Sequence, residues 1–203
     1  MSLFYNLLLY ILLIPAVPVI GLMLLFSAKR RKTLLHRLGV SDFIPRKTSL
    51  AEAPIWIHAL SVGEVLSAVP LTEALGRRFG KNRVVFSAST QTGFQVAWQR
   101  LAGRVGGIFF FPYDLGFTVR RVVKAVSPGL VVIVESDVWP NFMALLRKLR
   151  IPALLVNARL SKRSFRGYRR IAFFAGRMFN RFNAVFVQSE ADAERFEALG
   201  VLP

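Results

Sequence analysis

The sequence contains no cysteine and only two histidines, His36 and His58, among its 203 residues. The absence of cysteine excludes disulfide bonds, thiolate-bound metals and a cysteine nucleophile. With so few histidines, a histidine-rich metal centre is not expected. No Gly-x-Gly-x-x-Gly pattern follows the first predicted strand, which disfavours a dinucleotide-dependent oxidoreductase. We therefore expect neither a metal nor a cofactor.

Acidic residues are also scarce, with 11 Asp and Glu against 28 Lys and Arg, a formal net charge of +17. Such an excess attracts anionic lipid headgroups, phosphorylated substrates or nucleic acid. No RNA-binding aromatic motif or helix-turn-helix signature accompanies the charge, so nucleic acid is not an expected partner. The hydrophobic fraction of 54% and the mean hydropathy of +0.45 are high for a soluble domain. An anionic membrane as partner explains both properties.

Charge is missing altogether from residues 1–28, which are mostly Leu, Ile, Val and Phe. This length is sufficient for a helix that spans a bilayer. Four basic residues follow at 29–32, which predicts a cytoplasmic location for the rest of the chain. Because Pro15 and Pro18 interrupt the segment, a helix lying in the membrane interface stays open. We predict a membrane anchor at 1–28, with spanning favoured, then a basic flank and linker at 29–54.

After Pro54 the pattern changes to short apolar runs that alternate with amphipathic stretches. The runs predict strands at 55–60, 83–87, 107–111, 130–134, 153–156 and 184–187. Helical periodicity fills the gaps, at 66–79, 94–101, 117–126, 142–149, 166–182 and 191–199. Strands that are apolar on both faces and separated by helices indicate a parallel sheet with right-handed crossovers. The sequence therefore predicts an α/β, Rossmann-like domain over residues 55–203.

Four of the scarce acidic residues lie where a predicted strand gives way to a helix: Glu64, Asp114, Glu135 and Asp137. Doubly wound sheets bind ligands at this edge, where a carboxylate can accept a proton from a bound hydroxyl. Asp and Glu are also common at helix starts, so these residues could simply cap helices. Capping explains Glu135 less well, because a carboxylate at the end of a buried strand is costly unless it is paired.

Two further segments at the same edge are rich in polar residues. Residues 87–93, after the second strand, could donate hydrogen bonds to a sugar or phosphate, or could cap the next helix. Residues 157–164, after the fifth strand, add Arg159, Lys162 and Arg163, where an anionic substrate would lie. A solvated basic surface is the alternative explanation for these three side chains.

Taken in order, these segments resemble the N-terminal half of the 3-deoxy-D-manno-octulosonic acid (Kdo) transferases. The matching segments are Trp56-Ile-His-Ala-Leu-Ser-Val-Gly-Glu64, Ser89-Thr-Gln-Thr-Gly93, Pro112-Tyr-Asp114, Glu135-Ser-Asp-Val-Trp-Pro-Asn141 and Asn157-Ala-Arg-Leu-Ser161. The resemblance implies a two-domain GT-B architecture and inverting transfer from the donor CMP-Kdo. The implied acceptor is a hydroxyl of a phosphorylated lipid A precursor, at the cytoplasmic face of the bacterial inner membrane.

The resemblance also implies roles for individual residues. It makes Glu64 the general base that deprotonates the acceptor hydroxyl, and Glu135 a second required carboxylate. Together with the polar segments above, it gives an acceptor-binding set of Ser61, Gly63, Thr90, Gly93, Asp137, Arg159 and Ser161. Many relatives carry Glu at the position of Asp137. The side chain of Asp137 is one methylene shorter than that of Glu.

The family's C-terminal domain, which holds most contacts to the nucleotide sugar, is missing from these 203 residues. We therefore expect this segment alone to be inactive or nearly so. Two other interpretations stay open: a non-catalytic, membrane-anchored module that binds anionic lipid, and a GT-B glycosyltransferase for another membrane acceptor. Binding of nucleic acid is a third, which salt-dependent binding to duplex would support.

Overall fold

The computed structural model describes residues 2–25, 28–40, 52–135 and 138–201. Its strands are β1 (Ile55–Ala59), β2 (Val84–Ala88), β3 (Gly107–Phe110), β4 (Leu130–Val134), β5 (Ala153–Ala158) and β6 (Ala184–Val187). Its helices are α1 (Ser2–Leu25), α2 (Ala28–Arg37), α3 (Val62–Phe79), α4 (Gln91–Leu101), α5 (Gly116–Val126), α6 (Pro140–Lys148), α7 (Lys162–Arg169), α8 (Ala172–Phe179) and α9 (Glu190–Glu197). All six predicted strands are present to within two residues, which confirms the α/β prediction.

The strands form one parallel sheet in the order β3-β2-β1-β4-β5-β6. The chain first winds from β1 outward to β3, then returns through α5 to β4 on the other side of β1. The winding direction therefore reverses between β1 and β4, where His58 is level with Ile133. In open sheets of this kind, the ligand crevice lies beyond the carboxyl ends of the two strands at the reversal.

The core has two layers, one on each face of the sheet. Trp56 and Ile57 are neighbours in β1, and both are fully buried because they point to opposite faces. On the Trp56 face the strands pack against α5, α6, α8 and α9. On the Ile57 face they pack against α3 and α4. Burial on both sides explains why the strands are continuously apolar in the sequence.

The single helix predicted at 166–182 is wrong, because two shorter helices, α7 and α8, occupy this region. The break lies at Ile171, whose backbone leaves the helical region with φ −126° and ψ 35°. On either side of it, Tyr168 and Phe179 pack edge to face, with ring centroids 5.6 Å apart. Both helices therefore pack into the core, and the periodicity of the sequence gives no sign of the break between them.

The apolar N-terminal segment is helical, as α1, and contacts α2 and α6. Several of its side chains are exposed, including Leu12 at 64% and Ile14 at 69%. Among the residues that are described with their side chains, no helix is long and apolar enough to cross a membrane. The prediction of a spanning anchor is therefore not confirmed.

The basic flank continues as the helix α2, which contacts β3. At its end, Arg37 Nε donates a hydrogen bond to the Phe111 carbonyl oxygen at 3.1 Å. The guanidinium of Arg37 also lies 4.2 Å from the ring centroid of Tyr113. The end of α2 is therefore docked against the sheet. Residues 41–51, which belong to the predicted flank and linker at 29–54, lie outside the described residues.

Candidate active site

The turn between β1 and α3 fixes the carboxylate of Glu64. Ser61 is the N-cap of α3, and its Oγ accepts a hydrogen bond from the Glu64 N–H at 3.4 Å. In return, Glu64 Oε2 accepts the Leu60 N–H at 2.6 Å, and Oε1 accepts the Ser61 hydroxyl at 3.0 Å. This reciprocal arrangement is a variant of the capping box, in which Glu64 accepts the N–H of Leu60 instead of that of the N-cap residue. Glu64 is 7% exposed, so its carboxylate is held in one place at the positive end of the helix dipole.

Gly63 leaves open space in front of this helix start. It is exposed, and a Cβ added to it would meet no heavy atom of the described residues within 4 Å. The N–H groups of a first helical turn have no partner within their own helix. The start of α3 is therefore accessible at Gly63, the residue next to Glu64.

The turn between β2 and α4 is joined directly to this one. The Thr90 N–H donates to the Leu60 carbonyl oxygen at 3.1 Å, and Thr90 Oγ1 caps α4 by accepting the Gly93 N–H at 3.0 Å. A Cβ on Gly93 would lie 2.7 Å from Thr90 Oγ1 and 3.4 Å from the Leu60 oxygen, so only glycine fits without a shift. Thr90 and Gly93 thus hold the neighbouring turn in place. Their predicted contact with the acceptor stays a prediction.

Glu135 follows β4 and has a strained backbone. Its φ is +68°, in the left-handed region, where a non-glycine residue costs about 1–2 kcal/mol. Its N–H donates to the Val156 carbonyl oxygen at 2.9 Å, which ties the residue to β5. Strain of this kind clusters at functional sites. Asp137, the third predicted carboxylate at this edge, lies outside the described residues.

The end of β5 provides the two remaining predicted residues. Asn157 is also left-handed, with φ +53°, and the pairing of β5 with β6 shifts register between Leu155 and Ala158. Beyond this irregularity Arg159 is exposed, and Ser161 is the N-cap of α7. Both lie at the same edge of the sheet as Glu64 and Glu135, but one strand further from β1.

Asp192 holds this last loop from α9. Its Oδ1 accepts the Leu160 N–H at 2.9 Å and its Oδ2 accepts the Ser189 hydroxyl at 2.6 Å. Arg195 donates to Oδ1 at 3.0 Å and to the Leu160 carbonyl oxygen at 2.7 Å. Burial acts to raise the pKa of Asp192, but these hydrogen bonds and the charge of Arg195 lower it overall. These hydrogen bonds are therefore expected to keep the loop in place.

The structure brings the predicted residues to one edge of four adjacent strands. Ser61, Gly63, Glu64, Thr90 and Gly93 form one connected group at the ends of β1 and β2. Glu135 lies at the end of β4, the neighbour of β1 at the winding reversal. The two glutamates therefore follow the two strands that bound the crevice.

Sequence reasoning missed a buried hydrogen-bond chain that leads to this edge. Trp56 Nε1 donates to Ser87 Oγ at 2.7 Å, and Ser87 Oγ lies 3.0 Å from His58 Nδ1. His58 Nε2 lies 3.4 Å from Ser89 Oγ, and the imidazole stacks on Phe111 with centroids 3.8 Å apart. The sequence did carry a signal for this chain of hydrogen bonds. His58 and Ser87 are polar residues within apolar strands, and they are level with each other in the sheet.

It also missed the partner of Asp114. This carboxylate caps α6 rather than the adjacent α5: Oδ2 accepts the Asn141 N–H and Oδ1 the Phe142 N–H, both at 2.9 Å. The Tyr5 hydroxyl of α1 is a third hydrogen-bond partner. Burial raises the pKa of Asp114 to about 6, while the two N–H donors, Tyr5 and the charge of Arg181 act in the opposite direction.

The described residues contain no group of three or more His, Cys, Asp or Glu side chains that could hold a metal ion. The chemistry available at this edge is that of carboxylates, hydroxyls, backbone N–H groups and arginines. These groups can accept a proton, orient hydroxyls and bind phosphate.

Comparison with known proteins points to the same family as the sequence motifs. A sequence model of the family described as "3-Deoxy-D-manno-octulosonic-acid transferase (kdotransferase)" matches residues 32–203. The chain is similar to the 3-deoxy-D-manno-octulosonic acid transferase of Haemophilus influenzae, with 31% identity over 197 residues, covering 97% of the chain and 45% of the relative. For the enzyme of that name from Chlamydia pneumoniae, identity is 28% over 199 residues, covering 98% and 45%.

A third relative is named a bifunctional glycosyltransferase/methyltransferase, from Fusobacterium nucleatum. It is 29% identical over 181 residues, covering 87% of the chain and 27% of the relative. The chain thus spans less than half the length of each of these curated relatives.

Proposed function

Because the chain belongs to the 3-deoxy-D-manno-octulosonic acid transferase family, we propose that its protein transfers Kdo from CMP-Kdo to a hydroxyl of a phosphorylated lipid A precursor. In this proposal the chain is the N-terminal half of an inverting GT-B glycosyltransferase. It supplies the acceptor side and the general base, while a further domain supplies most of the grip on the donor.

The observation that carries the proposal is the placement of two carboxylates at the winding reversal. Glu64 follows β1 and Glu135 follows β4, and these strands are neighbours in the sheet. The crevice of a doubly wound sheet opens beyond these two strand ends. Only 11 of the 203 residues are acidic. Because acidic residues are so few, the presence of two of them beside this crevice supports an acid–base role.

In the proposed reaction, Glu64 accepts the proton of the acceptor hydroxyl. The hydroxyl oxygen forms a bond to the anomeric carbon of Kdo while the bond from that carbon to the CMP phosphate breaks, and CMP leaves with the electron pair. Each carboxylate oxygen of Glu64 accepts one hydrogen bond from the turn, so the turn positions the carboxylate for the proton transfer.

Glu135 and the arginine-bearing loop complete the proposed site. Glu135 would accept hydrogen bonds from the acceptor sugar and orient its reacting hydroxyl. Its left-handed backbone supports this role, because backbone strain of this kind clusters at functional sites. Arg159 is exposed beyond β5 and would attract the phosphates of the substrates.

We propose further that α1 lies against the cytoplasmic face of the bacterial inner membrane. Its exposed Leu12, Ile14 and Val17 and the four basic residues at 29–32 support an interfacial position, since such helices combine apolar contact with attraction to anionic lipid. This placement would raise the local concentration of a lipid acceptor.

Transfer from CMP-Kdo to a lipid A precursor by the full-length protein, followed by product mass, tests the proposal. We expect an added mass of one or more Kdo residues with CMP-Kdo and none with other nucleotide sugars. Transfer from another donor would identify a different glycosyltransferase. Vesicle binding without any transfer would identify the non-catalytic, lipid-binding alternative.

A further inference from the structure

A basic cleft lies between α6 and α8, outside the Glu64–Glu135 site. Its volume is about 460 Å³, and its walls are formed by Arg147, Phe173, Phe174, Arg177, Asn180 and Arg181. This volume is within the range that binds small ligands or ligand headgroups. We call it the arginine cleft.

The charge in the arginine cleft is not balanced by its walls. Three of the six lining residues are arginines and none is acidic. None of the three belongs to an ion pair within the part of the chain that the structure describes. Burial, followed by the nearby charge of Arg147, lowers the pKa of Arg181, with Asp114 acting in the opposite direction. A bound anion would relieve this repulsion.

Arg181 is fixed in position, while the other two arginines are exposed. Arg181 donates a hydrogen bond to the Pro140 carbonyl oxygen at 3.0 Å, which anchors its guanidinium at the start of α6. Arg147 and Arg177 are exposed, and the guanidinium of Arg177 lies 4.7 Å from the ring centroid of Phe173. Several guanidinium donors converging on one space match the oxygens of a phosphate group.

The rim of the cleft is aromatic and exposed. Phe173 is 67% exposed and Phe174 is 48% exposed, and the two rings pack edge to face. A soluble phosphorylated metabolite would leave these phenyl groups in water. A ligand with both a phosphate and a hydrocarbon chain would cover the rings and pair with the arginines at once.

One wall of the cleft and α1 both contact the start of α6. Arg181 contacts Pro140, and the next residue, Asn141, exchanges hydrogen bonds with Asn6 of α1. The exposed aliphatic side chains of α1, which nucleic acid would not cover, therefore belong to a helix that docks beside the cleft. This proximity favours a lipid over a polynucleotide as the occupant.

We propose that the arginine cleft binds the phosphate monoester headgroup of an amphiphilic lipid, with Phe173 and Phe174 against the start of its acyl chains. Resting on the proposed function, this lipid is the phosphorylated acceptor. The cleft would hold its phosphate while its hydroxyl reaches Glu64. Arg181, one wall of the cleft, contacts Pro140, which follows Glu135 by only five residues in the chain.

The test uses the full-length protein and vesicles of phosphatidylcholine that contain a minor fraction of phosphatidic acid, which carries a phosphate monoester. The double variant Arg147→Ala with Arg177→Ala leaves Arg181 and its bond to Pro140 in place. We expect it to weaken vesicle binding roughly tenfold or more, because it removes two basic side chains that would contact the anionic headgroup.

The control variant, Arg77→Ala with Arg78→Ala, removes the same charge from the exposed end of α3, on the other face of the sheet. We expect it to weaken binding clearly less than the cleft variant does. Equal losses in the two variants would mean attraction by net charge alone, and would overturn the proposal.

A second variant, Phe173→Ser with Phe174→Ser, separates a lipid from a free phosphate. We expect weaker binding to the vesicles but unchanged binding of inorganic phosphate. If the substitutions leave vesicle binding unchanged and inorganic phosphate binds as tightly as the vesicles do, the occupant is a free phosphate and the lipid assignment is wrong. Tighter, salt-dependent binding of a nucleic acid duplex would also contradict it.

Kinetics then separate the cleft from the reaction. With the phosphorylated acceptor, the cleft variant should raise KM about tenfold and leave kcat nearly unchanged, since it removes binding and not chemistry. With an acceptor that lacks the phosphate, the cleft variant and the wild type should have the same KM. An unchanged KM beside active transfer would refute the cleft and leave the proposed function intact. A wild-type protein without transfer would refute the function, while the vesicle measurements would still test the cleft.

Discussion

Asn6 of α1 and Asn141 of α6 exchange two amide hydrogen bonds, at 3.1 and 2.7 Å, across 135 positions of sequence. Asn141 also donates its backbone N–H to Asp114, and its side chain donates to the Asp114 carbonyl oxygen at 2.6 Å. The start of α6 therefore joins α1 to the loop after β3. We infer that α1 is held against the α/β domain by these contacts rather than attached only through the chain.

Replacement of Asn6 by Leu should loosen α1. The substitution removes both bonds to Asn141, and each hydrogen bond contributes about 1 kcal/mol. Amide hydrogen exchange in residues 5–18 should become roughly tenfold faster, because local opening of α1 becomes less costly. Leu12→Ala, an exposed position on the same helix, is the control and should leave exchange in that segment unchanged. Equal exchange in Asn6→Leu and wild type would show that α1 is held by other contacts.

Glu135→Gly should separate stability from activity. Glycine adopts the left-handed backbone without steric cost, so the free energy of unfolding should rise by up to about 1 kcal/mol, while the loss of the carboxylate should abolish transfer. Arg150 has a similar φ of +56° and is exposed. Arg150→Gly should therefore stabilise the protein similarly and retain activity. Full activity in Glu135→Gly would remove this residue from the proposed mechanism.

Ser87→Ala should destabilise the domain by about 1–3 kcal/mol, because it leaves the buried indole N–H of Trp56 without its acceptor. It also removes the hydroxyl next to His58. Ser67→Ala on the exposed side of α3 is the control, with an expected change below about 0.5 kcal/mol. Chemical denaturation of the two variants and the wild type measures the difference. Similar midpoints for all three would mean that Trp56 has another partner.

The raised pKa of Asp114 should make stability depend on pH. Its pKa is about 6 in the folded protein against 3.8 ordinarily, so between these values the folded state binds more protons than the unfolded state. The contribution is present in full below pH 4 and is lost as pH rises through about 6. The stability of the wild type relative to Asp114→Asn should therefore fall between about pH 4 and pH 6. A flat difference across this interval would show that Asp114 keeps its ordinary pKa.

The strands and most helices could be predicted because their signals are local. Residues such as Trp56 and Ile57 lie side by side and are both buried, so a strand between two helical layers reads as an unbroken apolar run. The edge of the sheet that carries Glu64 and Glu135 followed from the same pattern, since Glu135 comes directly after β4 and Glu64 lies in the first helical turn after β1.

The contacts that position these residues could not be predicted, because they join distant parts of the chain. Asp114 caps a helix that begins 26 residues later rather than the adjacent one, and the periodicity of either helix carries no trace of this. The lone Asn6 within an uncharged apolar helix was the available signal for its partner. The break between α7 and α8 has no proline to mark it, and the contact between Tyr168 and Phe179 that accompanies it joins two separate helices.

The most direct test of the account is the transfer rate of full-length Glu64→Gln together with its thermal unfolding midpoint. Glutamine at this position can maintain the capping box with Ser61 but cannot accept the proton. We predict a fall in kcat of roughly a hundredfold or more with a nearly unchanged midpoint, while Glu73→Gln, on the same helix and paired with Arg104, transfers normally. Near-normal transfer by Glu64→Gln would show that Glu64 only caps α3, and would contradict the proposed mechanism.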